Sequence, residues 1–114
     1  MTKTIAKKFS LNVAPTFKAP VQIHIPGAGE AEINFTFKSR TKDELKEFTE
    51  SLSGIDGEDG PKDADVLLDI ASGWDLDEPF DAASLEKLVQ RYMGAAQAVI
   101  SAYFNELTGA RTKN

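Results

Sequence analysis

The stretch that most constrains this chain runs from Asp81 to Gly109, DAASLEKLVQRYMGAAQAVISAYFNELTG. Its apolar residues are Leu85, Leu88, Val89, Tyr92, Ala96, Val99, Ile100, Tyr103 and Leu107. Within it the pattern 85/88/89/92 repeats at 96/99/100/103. Steps of three and four collect side chains on one face at 3.6 residues per turn, which predicts one amphipathic helix over 81–108. The Asp81 carboxylate is placed to accept from free N–H groups of the first turn. Gly109 follows the last apolar residue, where a left-handed residue ends a helix. Gly94 is the one interruption. It costs about 1 kcal/mol against Ala in a helix interior, and beside Ala95 and Ala96 it lets another backbone come close. So long an apolar stripe demands a layer to pack on.

That layer is written upstream. Val21, Ile23 and Ile25 alternate with Gln22 and His24, and Ala31, Ile33, Phe35 and Phe37 alternate with Glu32, Asn34, Thr36 and Lys38. Pro26-Gly27-Ala28-Gly29 separates the two runs with turn chemistry. The pattern predicts an antiparallel hairpin over about 20–38, each strand with one apolar face. A lone hairpin is marginal in water, so that face must be covered. Phe9, Leu11 and Val13 alternate in the same way and mark a candidate third strand at about 9–13.

Two shorter helices are expected between hairpin and long helix. Thr41 and Glu44 have capping-box spacing, and Leu45, Phe48 and Leu52 follow at helical intervals, giving a helix at 42–53. Val66, Leu67 and Ile70, behind Pro61 and the acidic Asp63 and Asp65, predict a helix at 63–72 with Gly73 as its stop. The Gly- and acid-rich segment 54–62 reads as an exposed loop, and residues 1–8 and 110–114 as loose termini. Strands followed by helices, with no internal boundary in 114 residues, make a single α+β domain: a small antiparallel sheet covered by three helices.

Composition narrows the function classes. The chain has no cysteine and one histidine and carries a net charge of −5. Disulfides and thiolate zinc sites are excluded. The few lysines and arginines near the two ends make no basic footprint for a nucleic acid. No apolar run reaches the roughly 20 residues of a membrane span, and MTKTIAKKFSLNVAP lacks the apolar core of a secretory signal. A cytoplasmic protein is the expectation.

No residues group into a recognisable catalytic or ligand site. His24 falls on the polar face of a strand. Ser84 and Ser101 have no local base and no nucleophile-elbow motif. The acidic run Asp56-Gly57-Glu58-Asp59-Gly60-Pro61 fails the calcium-loop pattern at the third ligand and lacks the closing Glu. Gly27-Ala28-Gly29 joins two strands, so no helix N-terminus is on hand for a phosphate. Asp75, Asp77 and Glu78 flank Trp74 without a predicted cleft to desolvate them. No enzyme activity, cofactor or metal is expected. Trp74 is either a core anchor or an interface anchor. A nine-member apolar stripe is a lot for one small sheet to cover: either the fold wraps it fully, or a flank around Tyr92, Val99, Tyr103 and Phe104 meets a partner chain or, by self-association, a second copy.

Three stretches taken together, PVQIHIPGAGEAEINFTFKSRTKDELKEF, LLDIASGWDLDEPF and SLEKLVQRYMGAAQAVISAYFNELTGARTKN, resemble a family of phage tail assembly chaperones of tailed phages and prophages. The shared order is Pro26-Gly27, Phe35 and Phe37, Thr41 with Glu44-Leu45, Gly73-Trp74, Tyr103, and Gly109-Ala110-Arg111 with Lys113-Asn114. The family pattern has a proline after the tyrosine in the middle of the closing helix. Here Tyr92 is followed by Met93-Gly94, which permits a bend. The resemblance implies a non-enzymatic protein of the host cytoplasm that binds the tape measure protein, keeps it soluble and recruits tail tube subunits, without remaining in the mature virion. On this reading Trp74, Tyr92, Val99, Tyr103 and Phe104 are the candidate partner-binding residues. The alternatives are a minor structural tail component, such as a completion or connector protein, and a small phage protein that regulates a host protein.

Overall fold

The computed structural model describes residues 14–53 and 63–109. The candidate strand at 9–13, the acidic loop at 54–62 and the two terminal segments lie outside the described residues. The order of elements is β1 (Thr16–Ile25), β2 (Gly29–Lys38), α1 (Lys42–Ser53), α2 (Asp63–Ile70), β3 (Ala71–Trp74), α3 (Ala82–Arg91) and α4 (Ala95–Thr108). The fold is α+β, with a three-stranded antiparallel sheet in the order β1-β2-β3.

The hairpin forms as its alternation requires. Its register runs from Thr16↔Lys38 to Ile25↔Gly29. The turn closes with Ala28 N–H donating to Ile25 O at 2.9 Å, and Gly27 and Gly29 take positive φ, 80° and 91°, where a Cβ would be strained. β1 starts earlier than expected and carries Pro20 in its middle. Hydrogen-bonded pairs alternate along an antiparallel ladder. Ser39 N–H donates to Pro15 O, so in this register the odd residues of β1 bond β2. Pro20 is even, and the nitrogen that lacks a proton faces away from β2, as an edge strand allows.

Two expectations are corrected. The helix predicted at 63–72 ends at Ile70, and Ala71–Trp74 turn into β3. There Trp74 pairs with Phe35 and Ala71 with Phe37, with Ser72 bulged between them. Periodicity carried the helix too far because Ile70 and Trp74 share helical spacing, whereas pairing with the Phe-rich β2 decides the conformation. The helix predicted over 81–108 is two helices, so the described residues hold four helices rather than three. Tyr92 is extended (φ −124°, ψ 96°), and Ala95 N–H donates back to Tyr92 O at 2.9 Å. A straight helix over this range would run about 40 Å, longer than the roughly 33 Å of a ten-residue strand. The break lets each half follow its own layer: α3 packs on α2, and α4 lies across β1. The repeated apolar pattern is the signature of two stripes rather than one.

The capping residues act as their spacing indicates. Thr41 Oγ1 accepts from Glu44 N–H at 3.1 Å, and Glu44 Oε1 accepts from Thr41 N–H at 2.8 Å. Asp81 Oδ1 accepts from Ser84 N–H at 2.9 Å. Gly109 ends α4 in the left-handed region at φ 79°. Between the layers lies the core: Val21, Ile23, Phe35 and Phe37 from the sheet, Leu67 and Ile70 from α2, Leu85 from α3, Val99 and Tyr103 from α4, and Phe48 from α1.

Candidate functional site

Four of the five candidate partner-binding residues are aromatic, and the fold separates the five into two groups. Val99 and Tyr103 are completely buried, each at 0% exposure. Of the two alternatives for the stripe, here the fold itself covers it, because α4 packs this face on β1. The Tyr103 ring lies 5.3 Å from Phe37 and 6.3 Å from Phe17. Its hydroxyl donates to Lys38 O at 2.7 Å and accepts from Arg40 Nη1 at 2.9 Å. Arg40 also pairs with Asp69 at 3.2 Å and sits 4.5 Å over the Phe48 ring. Burial pushes the Tyr103 hydroxyl pKa up, against the pull of Arg40. Burial works against the Arg40 charge, but Tyr103 and Asp69 together leave its pKa above the ordinary value. This cluster ties β2, α1, α2 and α4 together. Phe104, half-buried, seals the seam to α1 with its ring 6.2 Å from Phe48.

The other two residues, Trp74 and Tyr92, meet in one cleft of about 350 Å³. The hairpin outruns the helices that cover it. At its tip Ile23, Ile25, Ala31 and Ile33 present the apolar face that α4 covers elsewhere, and they form one wall. Ser84, Lys87, Leu88, Arg91 and Tyr92 of α3 form the other wall, and Trp74, Leu76 and Glu78 close the end. Ala31 is exposed and Ile25 and Tyr92 are half-buried. Leu76 is 37% exposed although it stands between two acidic residues.

The end wall is held rigidly. Trp74 Nε1 donates to Glu78 O at 2.8 Å, and the indole meets Phe80 edge-on at 5.1 Å and Phe35 at 5.9 Å. Asp75 accepts from the Asn34 amide side chain at 2.9 Å and from Asn34 N–H at 3.1 Å, where β3 leaves the sheet. These bonds, the side-chain one foremost, hold the Asp75 carboxyl below its ordinary pKa. The acidic residues around Trp74 therefore fix a loop, and no proton-transfer geometry is built from them. Rigid aromatic walls with a few charges on the rim suit the burial of an apolar segment.

Leu76, Leu88, Ile25 and Ala31 belong to this cleft and escaped the sequence reading. Two signals pointed to them: the apolar alternation of the hairpin continues to its turn, and Leu76 is an isolated leucine in an acidic loop. His24 stands exposed on the solvent face of β1. Among the described residues no group of His, Asp and Glu is disposed to hold a metal ion, and no helix is long and apolar enough to cross a membrane.

A family model described as phage tail assembly chaperone matches residues 5–114. Neither a curated protein nor a solved structure matches the chain.

Proposed function

Since this chain belongs to the phage tail assembly chaperone family, we propose that it binds the tape measure protein in the host cytoplasm, keeps it soluble and helps recruit tail tube subunits, and that it is left out of the mature virion. The observation that carries this reading is the open apolar cleft between the hairpin tip and α3. A holder of an apolar client needs surface that is greasy yet preformed, so that little ordering cost is met on binding. The Trp74 indole, fixed on three sides, and the half-buried Tyr92 supply such surface. Phe104 contributes from the α4 seam. The cleft needs no catalytic group for this task.

The test is co-expression with the tape measure protein of the same genome, followed by a solubility assay and a pull-down. The tape measure protein becomes soluble and co-purifies. Leu76→Glu, which places a charge at the cleft end without emptying the core, reduces co-purification at least fivefold while the circular dichroism stays native. An insoluble, unbound tape measure protein beside a folded chain overturns the reading. Recovery of this chain from purified virions would favour a structural tail component instead.

A further inference from the structure

We infer that the cleft takes its occupant as an added β-strand on the free edge of β2, and that this occupant is an extended segment alternating aliphatic with basic residues. The inference rests on the cleft being the client surface and names how the client is gripped.

The argument begins with backbone parity. The odd residues of β2 bond β1, so its even residues turn their N–H and C=O outward. Asn34 confirms the direction, because its N–H reaches Asp75 on the far side. β3 pairs only with Phe35, Thr36 and Phe37. Beyond the Asp75 cap the outward groups of Glu30 and Glu32 meet no strand among the described residues. This stretch of edge adjoins the cleft, since Ala31, Glu32 and Ile33 line it. A strand laid there would place every second side chain on the face of Ile33, inside the cleft against Leu76, Leu88 and Tyr92. The alternate side chains would stand on the solvent face of the sheet beside Glu30 and Glu32.

Charge selects the occupant. Glu30 and Glu32 are exposed and acidic, and among the described residues Glu32 accepts from the neutral Gln22 side chain at 2.9 Å and has no cationic partner. Cross-strand neighbours of opposite charge stabilise a pair and like charges oppose it. Lysine or arginine at the outward positions of the segment is therefore favoured. Lys87 and Arg91 lie on the α3 wall, and among the described residues neither forms an ion pair with Glu30 or Glu32. A second copy of the chain is a poor occupant. Two β2 edges facing each other would set Glu30 and Glu32 against their own kind, and β1 offers an outer edge interrupted by Pro20, which has no N–H.

The test uses the heptapeptide Lys-Val-Lys-Ile-Lys-Val-Lys and the whole chain. The peptide binds, slows hydrogen exchange at the Glu30 and Glu32 amides at least tenfold, and weakens with added salt. N-methylation of the peptide amides that face β2 removes binding, and so does replacing its lysines by glutamate. Glu30→Lys/Glu32→Lys, two exposed positions whose folding is checked by circular dichroism, binds the lysine peptide at least tenfold more weakly. No binding, or binding untouched by N-methylation, or cleft side chains that respond while both amides exchange as before, overturns strand addition; the last result would indicate a helical occupant. If the tape measure protein co-purifies while the peptide results fail, strand addition falls and the chaperone reading stands. If the peptide behaves as stated but the tape measure protein stays unbound, the chaperone reading falls alone.

Discussion

Replacing Tyr103 by Phe isolates the polar knot at the centre of the fold. The ring is kept, so the aromatic packing against Phe17, Phe37 and Phe48 persists. What is lost is the 2.7 Å bond to Lys38 O and the 2.9 Å bond from Arg40. A typical internal hydrogen bond contributes about 1 kcal/mol net, and a buried group left without a partner costs about 1–3 kcal/mol. Arg40 keeps Asp69, but the Asp69 side chain is 56% exposed and that of Arg40 16%, so the surviving pair is screened and worth little. The expected cost is about 2 kcal/mol. With a urea m-value of about 1.5 kcal/mol per molar, the midpoint of denaturation falls by about 1.3 M at unchanged m. Arg40→Met made in both backgrounds should show a coupling of about 0.5 kcal/mol or more. A midpoint moved by less than about 0.3 M would refute the reasoning, because the hydroxyl would then matter little to the core. Tyr103→Ser goes further and empties a core aromatic site, at a cost of about 3–5 kcal/mol, and unfolding would then mimic a binding defect.

Further outcomes follow from single features. Gly94→Ala should raise stability by about 0.4–1 kcal/mol in thermal melts, since Gly94 has an accessible φ of −91° and open space where a Cβ would stand; destabilisation would mean that glycine itself makes the break. Thr41→Ala should cost about 1 kcal/mol in urea denaturation by removing half of the capping box. At low pH, Asp75 contributes stability that is present above its unfolded pKa near 4 and is lost as pH falls through its depressed folded value. Asp75→Asn should therefore flatten the acid limb of the stability curve. At high pH the raised Tyr103 hydroxyl keeps its contribution below about pH 10 and loses it as pH climbs toward the folded value. Alkaline melts of Tyr103→Phe should lack that fall.

The sequence was a good guide wherever local chemistry decides. The hairpin, its Gly27–Gly29 turn, the Thr41–Glu44 box, the Asp81 cap and the Gly109 stop are each set by a few adjacent residues, and each stands where the pattern placed it, apart from the earlier start of β1 at Thr16. The errors came where distant contacts decide. Ala71–Trp74 has the spacing of a helix end, and only the neighbouring Phe35 and Phe37 make it a strand. Periodicity counts an apolar face but does not name the layer that covers it, so it leaves open whether Val99 and Tyr103 meet the fold or a partner; β1 covers them. The same blindness hid the cleft. Its walls come from the hairpin, α3 and the loop after β3, far apart in sequence, so no local pattern marks them as one cleft.

The packing of α4 on β1 also sets a timetable for synthesis. β1 and β2 precede α4 in the chain and can pair before it, whereas the helix that packs on β1 begins only at Ala95. Until α4 follows, the nascent hairpin lacks the helix that packs on the Val21 and Ile23 face of β1. A sheet whose cover arrives later than its strands is exposed to mispairing while it waits. Pro20 in the outer strand and the exposed charges of Glu30 and Glu32 in β2 are features that disfavour edge pairing between copies at that stage.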